Sequence, residues 1–148
     1  MNSLKDWTLI AHGAVNLYLL GAMVMFAAVS YPQFGAVDRA AFPALYQAFT
    51  GRIGLAVVPF EFLAALLVLP LYAARPEAMP QFSVHVLLAF AVGYFAITFG
   101  WHLPAHRALA AGDNSAEALA PLMASQYART SLQLLRCGFS AWLMVNAR

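Results

Sequence analysis

Charge is scarce in this chain. Only 9% of its 148 residues are charged, whereas about 25% is usual for a soluble domain. Lys5 is the single lysine. A soluble protein of this length would cover its core with Lys and Glu, so the composition excludes that class. The formal net charge of +2 comes without a cluster of Lys and Arg, so we expect no nucleic-acid partner.

Cysteine is almost absent as well, and Cys137 alone excludes an intrachain disulfide. What the chain has instead is apolar sequence, since 63% of its residues are hydrophobic. These residues form long runs, as membrane-crossing helices do. The chain contains no internal repeat, and its length suits a single domain covering residues 1–148.

Four of these runs are long enough to cross a hydrocarbon layer of about 30 Å. They cover residues 7–31, 53–73, 82–103 and 123–145, with prolines or glycines between them. An apolar stripe at helical spacing predicts a short interfacial helix near 41–50, between the first two spans. We therefore expect an all-α, multi-pass integral membrane four-helix bundle embedded in the lipid bilayer.

The fourth run carries a polar face formed by Gln126, Arg129, Gln133, Arg136 and Ser140. An arginine facing lipid at mid-helix would cost about 2.5–3.5 kcal/mol. Arg136 should therefore face the interior of the bundle. For Arg129, nearer the end of the run, reaching out to the lipid headgroups is an alternative.

Glu61 lies near the middle of the second run, beside Pro59. Its estimated depth matches that of Arg136, so we expect the two to form a buried ion pair. Such a pair is costly to desolvate and hints at function, although it could also serve only to fix the helix register. Arg52 is a candidate for the same site if a kink at Pro59 turns it inward.

Two pairs of histidines are candidates for cofactor binding. His102 and His106 are four residues apart, which places both imidazoles on one helix face, as metal ligands require. Copper and iron are the redox metals that suit imidazole. His12 and His85 lie at matched depths in the first and third runs, an arrangement that four-helix bundles use to hold haem. The alternative for both pairs is packed or interfacial histidines without a ligand.

Polar residues of the third and fourth runs begin on the same side of the membrane, so we expect a cavity there. The expected catalytic residues are Glu61, His102, His106, Arg129 and Arg136. The expected substrate-binding residues are Arg52, Tyr94, Trp101, Gln126 and Gln133. Of these two sets, the cavity itself should be lined by Glu61, Trp101, His102, His106, Gln126, Arg129 and Arg136.

The segment from His102 to His106, His-Leu-Pro-Ala-His, resembles the Asn-x-Pro-x-Asn that ends the third span in the anthrone-oxygenase-like family of small four-span membrane proteins. Gln126-Tyr127-Ala128-Arg129 likewise resembles the Asn-x-x-Arg that opens that family's fourth span. The resemblance covers nearly the whole chain. It implies oxygenation of anthrones to anthraquinones at His102, Pro104, His106, Gln126 and Arg129.

The chain departs from that family at three asparagines, which are His102, His106 and Gln126 here. Histidine can take a proton or bind a metal, whereas asparagine can only hydrogen-bond. A changed chemistry at the same place is therefore expected.

The first hypothesis is a membrane-embedded, oxygenase-like oxidoreductase whose hydrophobic, aromatic-type substrate enters from the bilayer. Arg129 and Arg136 would bind developing negative charge, while Glu61 or a histidine moves protons. The second hypothesis is a transporter or proton-conducting subunit, for which four spans would require a homo-oligomer. The third is an anchor or assembly subunit whose polar residues only lock helices together.

Overall fold

The computed structural model describes residues 4–73 and 75–146, and its ordered elements are helical, which confirms the all-α prediction. The α-helices, in chain order from α1 to α8, are Leu4–Met25, Tyr31–Phe34, Phe42–Ala56, Val58–Leu66, Val68–Ala73, Gln81–Ile97, Leu103–Leu109 and Ala116–Asn146. Two π-helical segments, Phe26–Ser30 and Thr98–His102, join α1 to α2 and α6 to α7.

The helices form four rods, which are α1–α2, α3–α5, α6–α7 and α8 alone. Three of them are long and apolar enough to cross a membrane, namely Asp6–Phe34, Phe42–Ala73 and Gln81–Leu109. The fourth rod, α8, has 31 residues but is less apolar overall because of its polar face. The three apolar rods are consistent with an integral membrane protein.

The interfacial helix expected near 41–50 is not a separate element. Helix α3 runs from Phe42 to Ala56 and forms the first part of the second rod. Pro43 fits its first turn, where no backbone donor is needed. Gly51 does not interrupt it, because a glycine inside a helix costs only about 1 kcal/mol relative to alanine. The break occurs instead at Val57, two residues before Pro59.

The expected ends of the first and third spans, at residues 31 and 103, are also wrong. Both helical rods continue through the next proline, Pro32 or Pro104, to Phe34 and Leu109. Each proline comes directly after a π-helical segment and the residue that caps it. The capping N–H bonds five residues back, to the Phe26 carbonyl in one case and the Thr98 carbonyl in the other. The wider turn relieves the clash between a proline ring and the preceding turn of a regular helix.

Helix α8 packs against α1 and α6. Its two ends lie in apolar clusters. At one end Leu122 packs with Tyr31 and Phe42, and at the other Leu143 packs with residues that include Leu71. The polar face of α8 is therefore enclosed between two apolar layers, as the cost of placing arginine in lipid predicts.

Two glycine-to-alanine substitutions test the backbone conformation of the loop before α8. Gly112 has φ of 95°, and an added Cβ would lie 3.2 Å from Pro43 Cγ. Gly112→Ala should therefore lower the free energy of unfolding by about 1–2 kcal/mol, the usual cost of a left-handed backbone. Gly51→Ala is the control, because its added Cβ meets nothing within 4 Å. Thermal unfolding in detergent measures both, and equal effects would contradict this account of the loop.

Candidate functional site

A cavity of about 210 Å³ lies between the second and third rods and reaches α8. Its walls are mostly apolar, and its polar groups include two histidines and an ion pair. The lining residues are Phe26, Tyr31, Thr50, Ile53, Gly54, Val57, Val58, Glu61, Thr98, His102, Leu103, His106 and Arg129. Four of the seven residues expected to line the cavity are therefore brought together here.

Glu61 and Arg129 form a buried ion pair at this cavity. Arg129 Nη2 donates to Glu61 Oε1 at 2.5 Å, and the two side chains are 6–7% exposed. The Tyr94 hydroxyl donates to the same carboxylate oxygen and accepts from Arg129 Nη2. The Arg129 guanidinium carbon also lies 4.8 Å from the centre of the Tyr94 ring. One oxygen of Glu61 is thus held from two sides.

The other carboxylate oxygen of Glu61 is free. Oε2 accepts no hydrogen bond from the described residues, since the bonds of Glu61 all go to Oε1. Nor is Oε2 among the polar atoms enclosed without a partner, which are Arg129 Nε, Gln133 Oε1 and Arg136 Nε. Because Glu61 lines the cavity, its second oxygen opens into it as a hydrogen-bond acceptor.

The two histidines belong to one hydrogen-bond chain. Ser125 Oγ lies 2.8 Å from His102 Nδ1 and 2.9 Å from the Leu122 carbonyl oxygen. His102 Nε2 and His106 Nε2 lie 3.0 Å apart. The Tyr46 hydroxyl lies 2.5 Å from His106 Nδ1 and 3.3 Å from the His106 carbonyl oxygen. All four ring nitrogens therefore have a hydrogen-bond partner, and the chain links Ser125 to Tyr46 through both rings.

Tyr31 supplies a hydroxyl group on the same side of the cavity, 3.3 Å from His106 Nε2. A hydroxyl donates one hydrogen bond and can also accept, so Tyr31 can donate to His106 or to a molecule bound in the cavity. Since Tyr31 lines the cavity, the site offers the hydroxyl of Tyr31 and an acceptor from Glu61.

The structure does not support a metal at His102 and His106. Their ring nitrogens hydrogen-bond to each other, to Ser125 and to Tyr46. Across residues 4–73 and 75–146, no group of three or more His, Cys, Asp or Glu could hold a metal ion. The predicted copper or iron pair is thus a hydrogen-bonded pair in this structure.

His12 and His85 are also not arranged as the predicted haem site would require. His12 is fully buried against α8, with its ring nitrogens near Arg136 and Ser140. His85 is exposed, and its ring lies edge-on to Tyr72 with the centres 5.3 Å apart. The two imidazoles therefore do not face each other as axial ligands would.

The predicted pairing of Glu61 with Arg136 is wrong. Arg136 Nη2 donates to the Ala64 carbonyl at 2.8 Å and lies 3.2 Å from His12 Nε2. A depth counted along the sequence assumes straight, unbroken helices, whereas the second rod is broken at Val57 and again at Leu67. Glu61 meets Arg129 instead, two helical turns before Arg136 in α8.

Arg136 belongs to a second polar group that ties α1 to α8. Gln133 Nε2 donates to the backbone and side-chain oxygens of Asn16, both at 2.9 Å. Asn16 Nδ2 in turn donates to the His12 carbonyl at 2.7 Å. Among the described residues, no hydrogen bond joins this group to Glu61 or Arg129. Arg136, expected to line the cavity, and Gln133, expected to bind the substrate, thus both lie outside the cavity lining.

The remaining expected residues also lie outside the cavity lining. Arg52 is exposed. Trp101 is 44% exposed, because adjacent residues of a helix point about 100° apart and His102 takes the inward position. Gln126 donates to the Met23 carbonyl at 3.1 Å. Tyr94 hydrogen-bonds to Glu61 but does not line the cavity.

Sequence reasoning missed Tyr31, Tyr46 and Ser125. They lie within apolar segments, where tyrosine and serine give little polar signal. No family model, curated protein or solved structure matches the chain, so its chemistry has to be argued from this geometry.

A double-mutant cycle tests the ion pair. Arg129→Gln alone should cost about 3–5 kcal/mol of stability, because it leaves the buried carboxylate unpaired. Glu61→Gln combined with Arg129→Gln should cost less than the sum of the single changes, by about 0.5–3 kcal/mol. Glu61→Gln combined with Arg136→Gln is the comparison and should be additive. Unfolding in detergent gives all the values, and coupling of Glu61 to Arg136 alone would overturn the assignment.

Proposed function

We propose that this protein is a four-span integral membrane oxidoreductase of the oxygenase type, acting on a hydrophobic aromatic substrate. The observation that carries the proposal is the free carboxylate oxygen of Glu61 inside an otherwise apolar cavity. Glu61 is costly to bury, and its ion pair uses only one of its two oxygens. A second oxygen left open to a cavity suits a proton acceptor for a bound molecule.

Helix α8 is suited to be the fourth span. Its 31 residues extend about 46 Å at 1.5 Å per residue, which exceeds a hydrocarbon layer of about 30 Å. Its polar side chains are buried, while its outer face presents Leu134, Leu135, Trp142 and Val145. The charge that lowers its hydropathy is therefore turned away from the lipid.

Two groups of the cavity have different roles in the reaction, one as a proton acceptor and the other as a hydrogen-bond donor. Glu61 Oε2 accepts a proton from the substrate, while Arg129 and Tyr94 hold the carboxylate in place through Oε1. The Tyr31 hydroxyl donates to the oxygen on which negative charge develops, and His106 positions that hydroxyl. In a site with little water, such a donor stabilises an anion strongly.

The reaction balances with dioxygen as the co-reactant. Glu61 removes one proton from a ring CH₂ that lies across the central ring from a carbonyl and is conjugated with it through the fused aromatic rings, and the resulting enolate is oxidised by dioxygen. The CH₂ becomes a second carbonyl, one oxygen atom enters the product, and the other leaves as water with the two hydrogens. The resemblance to the anthrone-oxygenase-like family implies this reaction class.

Glu61→Gln tests the chemistry. With anthrone as substrate in detergent, the wild type should consume dioxygen and form anthraquinone, and Glu61→Gln should lower the rate about 10²-fold or more, as loss of a general base does. Glu77→Gln, an exposed carboxylate between α5 and α6, should leave the rate unchanged.

The thermal stability of both variants is measured alongside the rate, so that unfolding is separated from lost chemistry. A stable wild type that consumes no dioxygen with anthrone would refute the proposed reaction and favour an anchor subunit. Full activity in Glu61→Gln would remove Glu61 from the reaction.

A further inference from the structure

The size of the cavity limits what it can enclose. Its volume of about 210 Å³ falls below the range of about 300–1,000 Å³ typical of pockets for drug-sized ligands. It is somewhat larger than the roughly 150 Å³ that holds benzene in an engineered cavity. The enclosed space therefore suits a head group of one ring or two fused rings.

The cavity opens sideways through the flank of the bundle. Gly54 and Val58 form one edge of its mouth on the second rod, and both are exposed. Thr98 and Leu103, both partly exposed, lie on the third rod. The mouth is thus made of small or mostly apolar groups in the part of the surface that lipid chains would contact.

Gly54 leaves this mouth open. A Cβ built on it would meet no atom within 4 Å, so no neighbour fills the space in front of it. By contrast, a Cβ on Gly13 would lie 2.8 Å from Met144 Cε, so close packing accounts for that glycine. Because Gly54 also lines the cavity, a large side chain at this position would narrow the mouth.

We propose that the occupant is a phenolic head group of one or two rings joined to a hydrophobic tail. The head lies inside the cavity, where its hydroxyl donates to Glu61 Oε2, and the tail leaves past Gly54 into the bilayer. A larger fused-ring substrate places its reacting CH₂ at Glu61 Oε2 and its outer ring in the mouth. This inference rests on the proposed function for the location of the site and names the class of molecule that the site binds.

The test compares two probes in phosphatidylcholine nanodiscs. Naphthol fits entirely inside the cavity, whereas dodecylphenol carries the same hydroxyl on a tail. Saturable binding is measured by equilibrium dialysis, with the uptake by empty nanodiscs subtracted. The wild type should bind both probes. Gly54→Phe should weaken dodecylphenol binding about tenfold or more, a difference of about 1.4 kcal/mol, and leave naphthol binding within about threefold.

Gly51→Phe is the matched control. Gly51 lies one helical turn earlier in α3 and also faces open space, but it does not line the cavity. This variant should bind both probes as the wild type does. Gly54→Leu, which blocks the mouth less, should give an intermediate loss of dodecylphenol and remains informative if the phenylalanine variant fails to fold.

Three results would overturn the proposal. They are unchanged dodecylphenol binding in the Gly54 variants, an equal loss of both probes, and no saturable binding to the wild type. Turnover is scored separately with anthrone. If phenols bind as described but anthrone is not oxidised, the proposed reaction fails and the binding mode stands. If anthrone is oxidised but the Gly54 variants bind both probes normally, the binding mode alone fails.

Discussion

The ion pair between Glu61 and Arg129 is the constraint on which the rest of the structure depends. Neither group can face lipid without a large cost, so α4 and α8 must meet where the pair forms. Their contact turns the polar face of α8 inward and leaves its apolar face outside. Because Tyr94 and Arg129 both bind Oε1, the pair is satisfied without using Oε2. The same contact therefore fixes the bundle and leaves Oε2 without a hydrogen bond from the described residues.

Two local irregularities of the helices shape the cavity next to this pair. The π-helical segments Phe26–Ser30 and Thr98–His102 each contribute residues to its lining. Each also lets the helix continue through a following proline, and His106 lies in the helix continued in this way past Pro104. Single π-helical turns occur often at functional sites.

The helices and the inward face of α8 were predictable from the sequence, because both follow from the cost of placing polar groups in an apolar layer. The ion-pair partner of Glu61 was not predictable from the sequence, since a depth counted from an assumed helix start is uncertain by a turn or more. The continuation of the helices past Pro32 and Pro104 was not predictable either, because the π-helical turn that accommodates each proline has no clear sequence signature. Tyr31 and Tyr46 act through hydrogen bonds to His106 that only the folded chain creates.

The buried charges of the described residues do not sum to zero. The buried charged side chains are Glu61, Arg129 and Arg136. The ion pairs among the described residues join Glu61 to Arg129 and Arg39 to Asp113, so Arg136 has no carboxylate within 4.0 Å there. With both arginines charged, the interior carries an excess of one positive charge. Its field favours negative charge nearby, which in the proposed reaction would include the anion formed in the cavity when Glu61 takes a proton. Under that proposal, Arg136 would assist the ionisation without touching the substrate.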